Sequence, residues 1–543
     1  MSPISAALFY NPRSMLPLAI LIIGVAGLMY GLSRILSLKT KTTKLLGPLS
    51  PSWLFGVLRE IDRDDSGVLY EKWAERYGPA YQVPGALGCH RIVLFDPRAI
   101  SHFFSKDTYG YVHQPNRRRL IEQLAGRSLF WAEGDTHRRQ RKILAPSFSG
   151  SAIRGYMPMF YDAAYKLKSS WDTALGTSPN SEIVVDIQEW IDRFTLDIIG
   201  RAGFEHDFGS LDGHDSEVAK FFDYLGGAKP STLTTLLSLL STVLPFLQDL
   251  PTKRTRLIQN LNTSMGKIAE NLIERSHKEL EFGEFGTSNF KSVIGALLKA
   301  ECSKACDLSK GEVLAQIKLL ILAGYDTSSI ALTWIAIELA RNPEKQERLH
   351  EELSRFSDTD PTYDNLQSDL PYLDSVIQET LRLHPPLVET FRIAAEDDII
   401  PLSVPILTAS GEKTNSLRVA RGTPVVVPIQ AIGCSEAIWG PTAREFIPER
   451  WLDNRSGLTT KATEIQGFHH ILSFSDGQRI CLGKLFAFTE IKAIISVIYR
   501  NYSVSLRDGP EVELEMFKTI LPRPRVRGDQ YTTVPVRLRR ISE

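Results

Sequence analysis

The stretch Glu312–Arg341 limits most strongly what this chain can become. Apolar residues recur at helical spacing over nearly thirty positions, and the run stops at Asn342-Pro343, where proline disfavours further helix. Its middle, Leu319-Leu320-Ile321-Leu322-Ala323, is apolar on almost every face. A helix with no polar side for water has to run through the core of a large domain. Most of the chain from 60 to 395 also reads as helix. Short strands are expected near Tyr81–Val83, Arg91–Phe95 and Thr423–Ile429, with a hairpin at the turn-rich Ala409–Ser416. There is no internal repeat and no long low-complexity linker. The fold class is therefore mainly α with a minor β part, in one large domain.

A second apolar run, Met15–Ser33, holds 19 residues without a charge. At 1.5 Å per residue it reaches roughly 28 Å, close to a hydrocarbon core of about 30 Å. A cleaved signal peptide has a shorter apolar region followed by a small-residue cleavage site. Here Arg34, Lys39, Lys41 and Lys44 follow instead, as in a stop-transfer flank, and Arg13 is the one basic side chain before the run. The positive-inside rule then keeps the C-terminal side in the cytosol. The expected organisation is a lumenal tail (1–14), a single-pass transmembrane anchor (15–33), a basic and proline-containing linker (34–52) and one domain (53–543). The Asn-x-Ser patterns at Asn262, Asn454 and Asn501 should then carry no sugar.

Lys plus Arg (63) equals Asp plus Glu (63), so the formal net charge is zero and the basic excess of a nucleic-acid coat is missing. Nucleic acid is not an expected partner. Five cysteines, Cys89, Cys302, Cys306, Cys434 and Cys481, are too few for a disulfide scaffold and suit a reducing compartment. Four of them read as small buried apolar residues. Cys302 and Cys306 have the spacing of a metal pair, but no further ligands stand nearby.

Cys481 differs. It lies in Phe474-Ser475-Asp476-Gly477-Gln478-Arg479-Ile480-Cys481-Leu482-Gly483, between two glycines, on a loop that opens into the apolar helix Lys484–Ile495. Glycine lets backbone approach a flat ligand closely, and exposed N–H groups near a helix N-terminus favour a thiolate. Arg479 can pair with an anionic substituent of the same ligand.

This segment resembles the haem-binding signature of the cytochromes P450, F-x-x-G-x-R-x-C-x-G, at Phe474, Gly477, Arg479, Cys481 and Gly483. The resemblance implies the cytochrome P450 fold and haem b (iron protoporphyrin IX), with Cys481 as the axial thiolate ligand of the iron. Four further segments follow the family's order. Glu379-Thr380-Leu381-Arg382 resembles its E-x-x-R motif, and Pro448-Glu449-Arg450-Trp451 its P-E-R segment. Together they imply a network of Glu379, Arg382 and Arg450 behind the cysteine loop, with Trp451 standing where many members carry Phe. Ala323-Gly324-Tyr325-Asp326-Thr327-Ser328 is similar to the oxygen-binding groove. There Thr327 would hydrogen-bond oxygen or its water, and Asp326 would help relay protons. His137 and Arg141 resemble the W-x-x-x-R pair with His in place of Trp. With Arg392 and Arg479 they would supply the positive charge for the haem propionates, while Arg138, Arg139 and Lys142 are solvated or face a redox partner.

The activity implied is that of a membrane-bound haem-thiolate monooxygenase. It would use O2 and NADPH electrons, delivered by a separate flavoprotein reductase, to oxidise a lipophilic small molecule. The bilayer would be the endoplasmic reticulum membrane, with the catalytic domain facing the cytosol. The entry Gly47-Pro48-Leu49-Ser50-Pro51 and the His137 variant look like fungal members, many of which act on terpenoids or other secondary metabolites. Fatty acid, alkane and xenobiotic oxidation are the rival substrate readings. An isomerase or dehydratase working without O2, and a haem sensor, are the rival functions, and the intact Asp326-Thr327 pair weighs against both. Pocket walls are expected from Tyr109–Ala125, Phe221–Leu247, Leu319–Thr327 and Leu387–Phe391.

Overall fold

Helical period and strand alternation build two unequal parts in the computed structural model. It describes residues 41–63, 66–214, 250, 252–281, 292–302, 308–452, 456–518, 520–529 and 532–541. The anchor expected over 15–33, the leucine-rich stretch 221–247, the Cys302–Cys306 pair and Asn454 lie wholly or partly outside the described residues. The longer helices are α1 (Ser66–Tyr77), α2 (Pro97–Ser105), α3 (Pro115–Ala125), α4 (Gly134–Leu144), α5 (Gly150–Thr177), α6 (Ile187–Phe204), α7 (Lys253–Glu281), α8 (Val293–Cys302), α9 (Lys310–Arg341), α10 (Pro343–Ser354), α11 (Pro371–Leu383) and α12 (Lys484–Asn501). The strands are β1 (Ala80–Pro84), β2 (His90–Leu94), β3 (Tyr111–Val112), β4 (Glu182–Asp186), β5 (Thr390–Ala394), β6 (Asp398–Leu407), β7 (Lys413–Val419), β8 (Pro424–Val427), β9 (Tyr502–Leu506), β10 (Leu514–Lys518), β11 (Pro522–Val526) and β12 (Pro535–Arg540).

The long apolar helix is the axis of the molecule. A capping box closes the N-terminus of α9, with Ser309 and Glu312 exchanging side-chain and backbone hydrogen bonds, and Asn342 ends it. Among the described residues it is the helix long and apolar enough to cross a membrane, yet it is buried within the domain. Its closest neighbour is α6. A Cβ on Gly324 would come within 2.6 Å of the Ile199 side chain, so glycine here sets how near the two helices lie. The helix runs through this point without a break, from Lys310 to Arg341. Close packing against α6 is the physical reason for a glycine at this position.

Behind α9, α12 packs on α5 through Phe486, which takes Phe148, Tyr156 and Phe160 edge-on at 6.3, 5.9 and 5.2 Å between ring centroids. This helix runs to Asn501, one and a half turns beyond the expected Ile495. The main sheet has the order β1-β2-β8-β5-β3, with β2 and β8 parallel and the other pairs antiparallel. The three expected strands fall in it as β1, β2 and β8, and the expected hairpin is β6–β7. The sequence reading missed β3, β4, β5 and β9–β12. Strands β4, β12 and β9 form a sheet in which β12 joins segments more than 300 residues apart, a pairing that no local period announces.

Candidate active site

The cysteine loop is shaped by backbone before side chains enter. Ser475 and Gly477 have φ of 60° and 63°. At Gly477 a Cβ would stand 2.2 Å from the Phe104 carbonyl oxygen, so glycine is obligatory where the loop touches α2. The turn closes when the Cys481 N–H donates to the Phe474 carbonyl at 2.7 Å. Gly483 caps α12, and the nearest atom to a Cβ there is 3.8 Å away, on Phe148. No neighbouring side chain demands glycine at that position, which leaves the loop surface open there. Cys481 itself is half-buried. Burial pushes its thiol up, while the Gly483 N–H, Lys484 and Arg141 pull it down.

Support for the loop comes from Glu379, which is fully buried on α11. Its Oε2 accepts from Arg382 Nε at 2.8 Å and from the Trp451 indole N–H at 3.0 Å. Its Oε1 accepts from Arg382 Nη2 at 2.8 Å, Arg450 Nε at 3.1 Å and the Ile447 N–H at 3.0 Å. Arg382 also donates to the Gly433 and Glu445 carbonyls, so one side chain fixes two loops as well as the carboxylate. Ser473, just before the cysteine loop, donates to the Leu381 carbonyl at 2.5 Å and ties the loop to α11. The Glu379-Arg382-Arg450 arrangement is thus present as geometry. Trp451 adds a donor that a phenylalanine would lack.

Around the loop the structure gathers the cationic side chains that the sequence singled out. Arg479 and Arg392 both donate Nε to Asp107 Oδ1 at 3.2 Å, and Arg479 Nη2 reaches the Ala132 carbonyl at 2.6 Å. Asp107 is fully buried, and sequence reasoning missed it. It stands 285 residues from Arg392 and 372 from Arg479, and nothing local marks it. His137 is buried on α4. Burial, then Arg479, Arg141 and Arg392, push its pKa down to about 3. It is therefore a neutral donor and not the cation expected from the sequence, because surrounding guanidinium charge disfavours a second positive group. Arg139 also departs from expectation. It pairs with Glu312 at 2.6 Å and belongs to the fold, while Arg138 and Lys142 are exposed.

On α9 the side chains of Asp326 and Thr327 enter different hydrogen bonds. Thr327 Oγ1 donates to the Ala323 carbonyl at 2.7 Å, and both residues are accessible in the middle of an otherwise buried helix. Asp326 is buried and accepts from Arg523 Nε at 3.0 Å and Nη2 at 2.5 Å. Arg523, on β11, also donates to Asp192 on α6 at 2.8 Å, and Ser329 donates to the same Asp192 carboxylate. Burial pushes Asp326 up against the pull of Arg523.

Further along α12, Glu490 is fully buried. Ser328 donates to its Oε2 at 2.9 Å, and Oε1 has no partner. Burial raises its pKa to about 8, with Ser328 opposing. The native state thus holds a proton that the unfolded chain releases, so this group costs stability as pH rises from about 4.5 to about 8. Glu490→Gln should be more stable than the native chain above pH 8, on the order of a few kcal/mol, and nearly equal at pH 5. Paired thermal melts at the two pH values check this. A native-like pH dependence in the variant would count against the assignment.

The side chains fit a haem on the chemistry of the donor set. A single thiol at a glycine-opened loop offers the axial ligand, and Arg141, Arg392, Arg479 and neutral His137 offer donors for two carboxylates. Among the described residues, no cluster of His, Cys, Asp and Glu offers an alternative metal site.

Comparison with known proteins agrees with this geometry. The family model for cytochrome P450 matches residues 46–527. The chain is 50% identical to cytochrome P450 monooxygenase claQ of Ampulloclitocybe clavipes over 506 residues, covering 92% of this chain and 94% of that one. It is 49% identical to claP of the same fungus, with the same coverage. It is 31% identical to the ganoderic acid synthetase of Ganoderma lucidum, covering 85% of this chain and 88% of that one. Likeness of this extent spans both the cysteine loop and the buried carboxylate that supports it, and it makes the chain a member of the cytochrome P450 family and a haem-thiolate monooxygenase.

Proposed function

We propose that this monooxygenase is anchored in the endoplasmic reticulum membrane by residues 15–33 and oxidises a terpenoid or other secondary metabolite in the cytosol-facing domain. NADPH electrons would arrive through a separate flavoprotein reductase. The observation that carries the reaction is Cys481 on its glycine-opened loop, surrounded by cationic donors. The anchor rests on the uncharged run Met15–Ser33 with its basic flank. A relative named ganoderic acid synthetase supports the metabolite reading.

Haem, when bound, supplies the O2 activation and oxygen insertion. The protein's part is to hold and orient. Cys481 would hold the iron as a thiolate, the form a coordinated thiol adopts. Arg141, Arg392, Arg479 and His137 would hold the propionates. Thr327, whose hydroxyl now bonds the Ala323 carbonyl, can rotate to hold a water on the accessible side of α9. Asp326, held by Arg523, would help relay protons toward it.

The test is the carbon monoxide difference spectrum of reduced membranes from the native chain and from Cys481→Ala. The red-shifted Soret band of thiolate ligation should appear in the first and vanish in the second. Its absence from folded, haem-loaded native protein would overturn the reading. Sugar on Asn262 or Asn501 would overturn the topology.

A further inference from the structure

Exposed apolar side chains are not spread evenly over this molecule. Among the described residues twelve large apolar or aromatic side chains are exposed, and six of them stand on two segments. Leu46, Leu49 and Trp53 belong to the first, and Ile399, Val404 and Leu407 to the second. Leu49 is 92% exposed and Trp53 61%. A single exposed apolar residue needs no explanation, whereas a cluster of this kind marks a surface that something covers.

The two segments are hydrogen-bonded to each other. The Thr43 N–H donates to the Arg418 carbonyl at 2.9 Å, the Arg418 N–H to Thr43 Oγ1 at 2.8 Å, and the Ala409 N–H to the Lys44 carbonyl at 2.8 Å. Leu45 is the antiparallel partner of Thr408, and both are buried. Strand side chains alternate, so the flanking residues Leu46 and Leu407 point to the outer face, as do Lys44 and Ala409. Lys413, opposite Leu407 in the β6–β7 ladder, shares that face, and Ile399 stands opposite Arg418 farther along β6. Across 41–46 and 403–419 the charged residues are Lys41, Lys44, Lys413 and Arg418 against Glu412, all exposed. The outer face is thus an apolar strip with a basic rim. From it the chain passes to β1, where the Leu46 carbonyl accepts from the Gln82 N–H at 2.9 Å. A Cβ on Gly88 would come within 2.7 Å of the Trp53 indole nitrogen, so that ring rests one edge on the turn after β1.

The reach of the chain before this strip decides what can cover it. From Ser33 to Lys41 is a step of eight residues, which fully extended spans at most about 29 Å. A domain of this length is roughly 60 Å across. A tether that short, fastened to the hairpin at Thr43 and Lys44, turns the hairpin side toward the bilayer that holds residues 15–33 and keeps the opposite side away. The chemistry of the face agrees with that neighbour. Tryptophan and leucine suit the boundary between headgroups and acyl chains, and a basic rim suits phosphate.

We propose that the outer face of the β6–β7 hairpin, together with Leu46, Leu49 and Trp53, lies in the headgroup layer of a bilayer bearing anionic phospholipids. Its apolar side chains enter the top of the acyl region. Lys44, Lys413 and Arg418 lay their aliphatic stems along them and hold their charges at the lipid phosphates. The assignment rests on the anchor reading above and goes beyond it, because a second contact fixes one orientation of the catalytic domain where an anchor alone leaves it free to turn.

The experiment uses the full haem-loaded chain in vesicles of phosphatidylcholine, with and without phosphatidylserine. Leu407→Cys and Leu49→Cys are each labelled with bimane, and the native chain treated alike gives the background of its own cysteines. Lipid carrying a nitroxide near the headgroup should quench both labels by about twofold or more, as expected of side chains about 5–10 Å deep. A label at Asp364→Cys, on the short helix Tyr363–Ser368 that packs on α12, should stay unquenched. Phosphatidylserine should increase the quenching, and Lys44→Gln combined with Lys413→Gln should remove that increase. Unquenched Leu407 and Leu49 labels in protein that withstands alkaline carbonate extraction overturn this proposal and leave the anchor standing. Release of the protein by carbonate overturns the anchor reading and the proposal with it. Equal quenching in the two lipid mixtures overturns the assignment to anionic headgroups. A Leu407 label that escapes quenching but cross-links to another copy gives the face to a second chain, which also overturns it.

Discussion

Glu379→Ala should leave little folded protein. The carboxylate accepts hydrogen bonds from both arginines, from Trp451 and from the Ile447 backbone. Its removal strands Arg382 and Arg450, 1% and 6% exposed, without a counter-charge. Breaking one partner of a buried pair costs about 3–5 kcal/mol, against a total stability of about 5–15 kcal/mol for a domain. Because Ser473 hangs the cysteine loop on α11, the haem pocket should be lost with the network. The expected result is a melting temperature lowered by about 3–5 °C, or no soluble holoprotein. Arg348→Ala is the control. It breaks an exposed pair with Glu449, 47% and 39% exposed, and should cost under about 1 kcal/mol. Equal melting temperatures for Glu379→Ala and the control would show that the network does not support the fold.

Arg523→Met should be nearly as severe, with a different pH signature. Arg523 ties β11 to α6 through Asp192 and to α9 through Asp326. Methionine fills much of the space but leaves two carboxylates facing each other in the interior. At neutral pH the loss should be about 3–5 kcal/mol. Without the guanidinium, burial holds the Asp326 carboxyl above its unfolded pKa, so the native state binds more protons than the unfolded one. Stability then falls as pH rises through that range and recovers below about pH 3, where the acid is neutral in both states. Adding Asp326→Asn should restore about half of the neutral-pH loss by removing one of the two charges. Denaturant titrations of the three proteins at pH 5 and pH 8 test this. A deficit in Arg523→Met independent of pH, and unchanged by Asp326→Asn, would mean that packing and not charge sets the effect.

What could be read from the sequence is what short range determines. Apolar spacing marks α9 because a helix repeats every 3.6 residues, and it marks the start of α12 for the same reason. The i,i+3 spacing of Glu379 and Arg382 places both on one face of α11 wherever that helix ends up. Five positions in ten around Cys481 carry the haem-thiolate signature because one loop must turn sharply, approach a flat ligand and present a thiol.

Tertiary structure alone decided which distant groups answer those residues. Asp107 meets Arg392 and Arg479 across 285 and 372 positions, and Arg523 meets Asp326 across 197. No period connects such partners, and the chain offers 63 acidic residues from which to choose. The same holds for the charge state of His137, which follows first from its burial and then from the guanidinium groups folded around it, and not from its place in a motif. The spacing role of Gly324 beside Ile199 is likewise tertiary, because a contact between helices leaves no trace in the period of either one. The sequence by itself determined the reaction class and the thiolate, since both reside in one continuous loop. The buried counter-charges were decided only when distant segments were brought together.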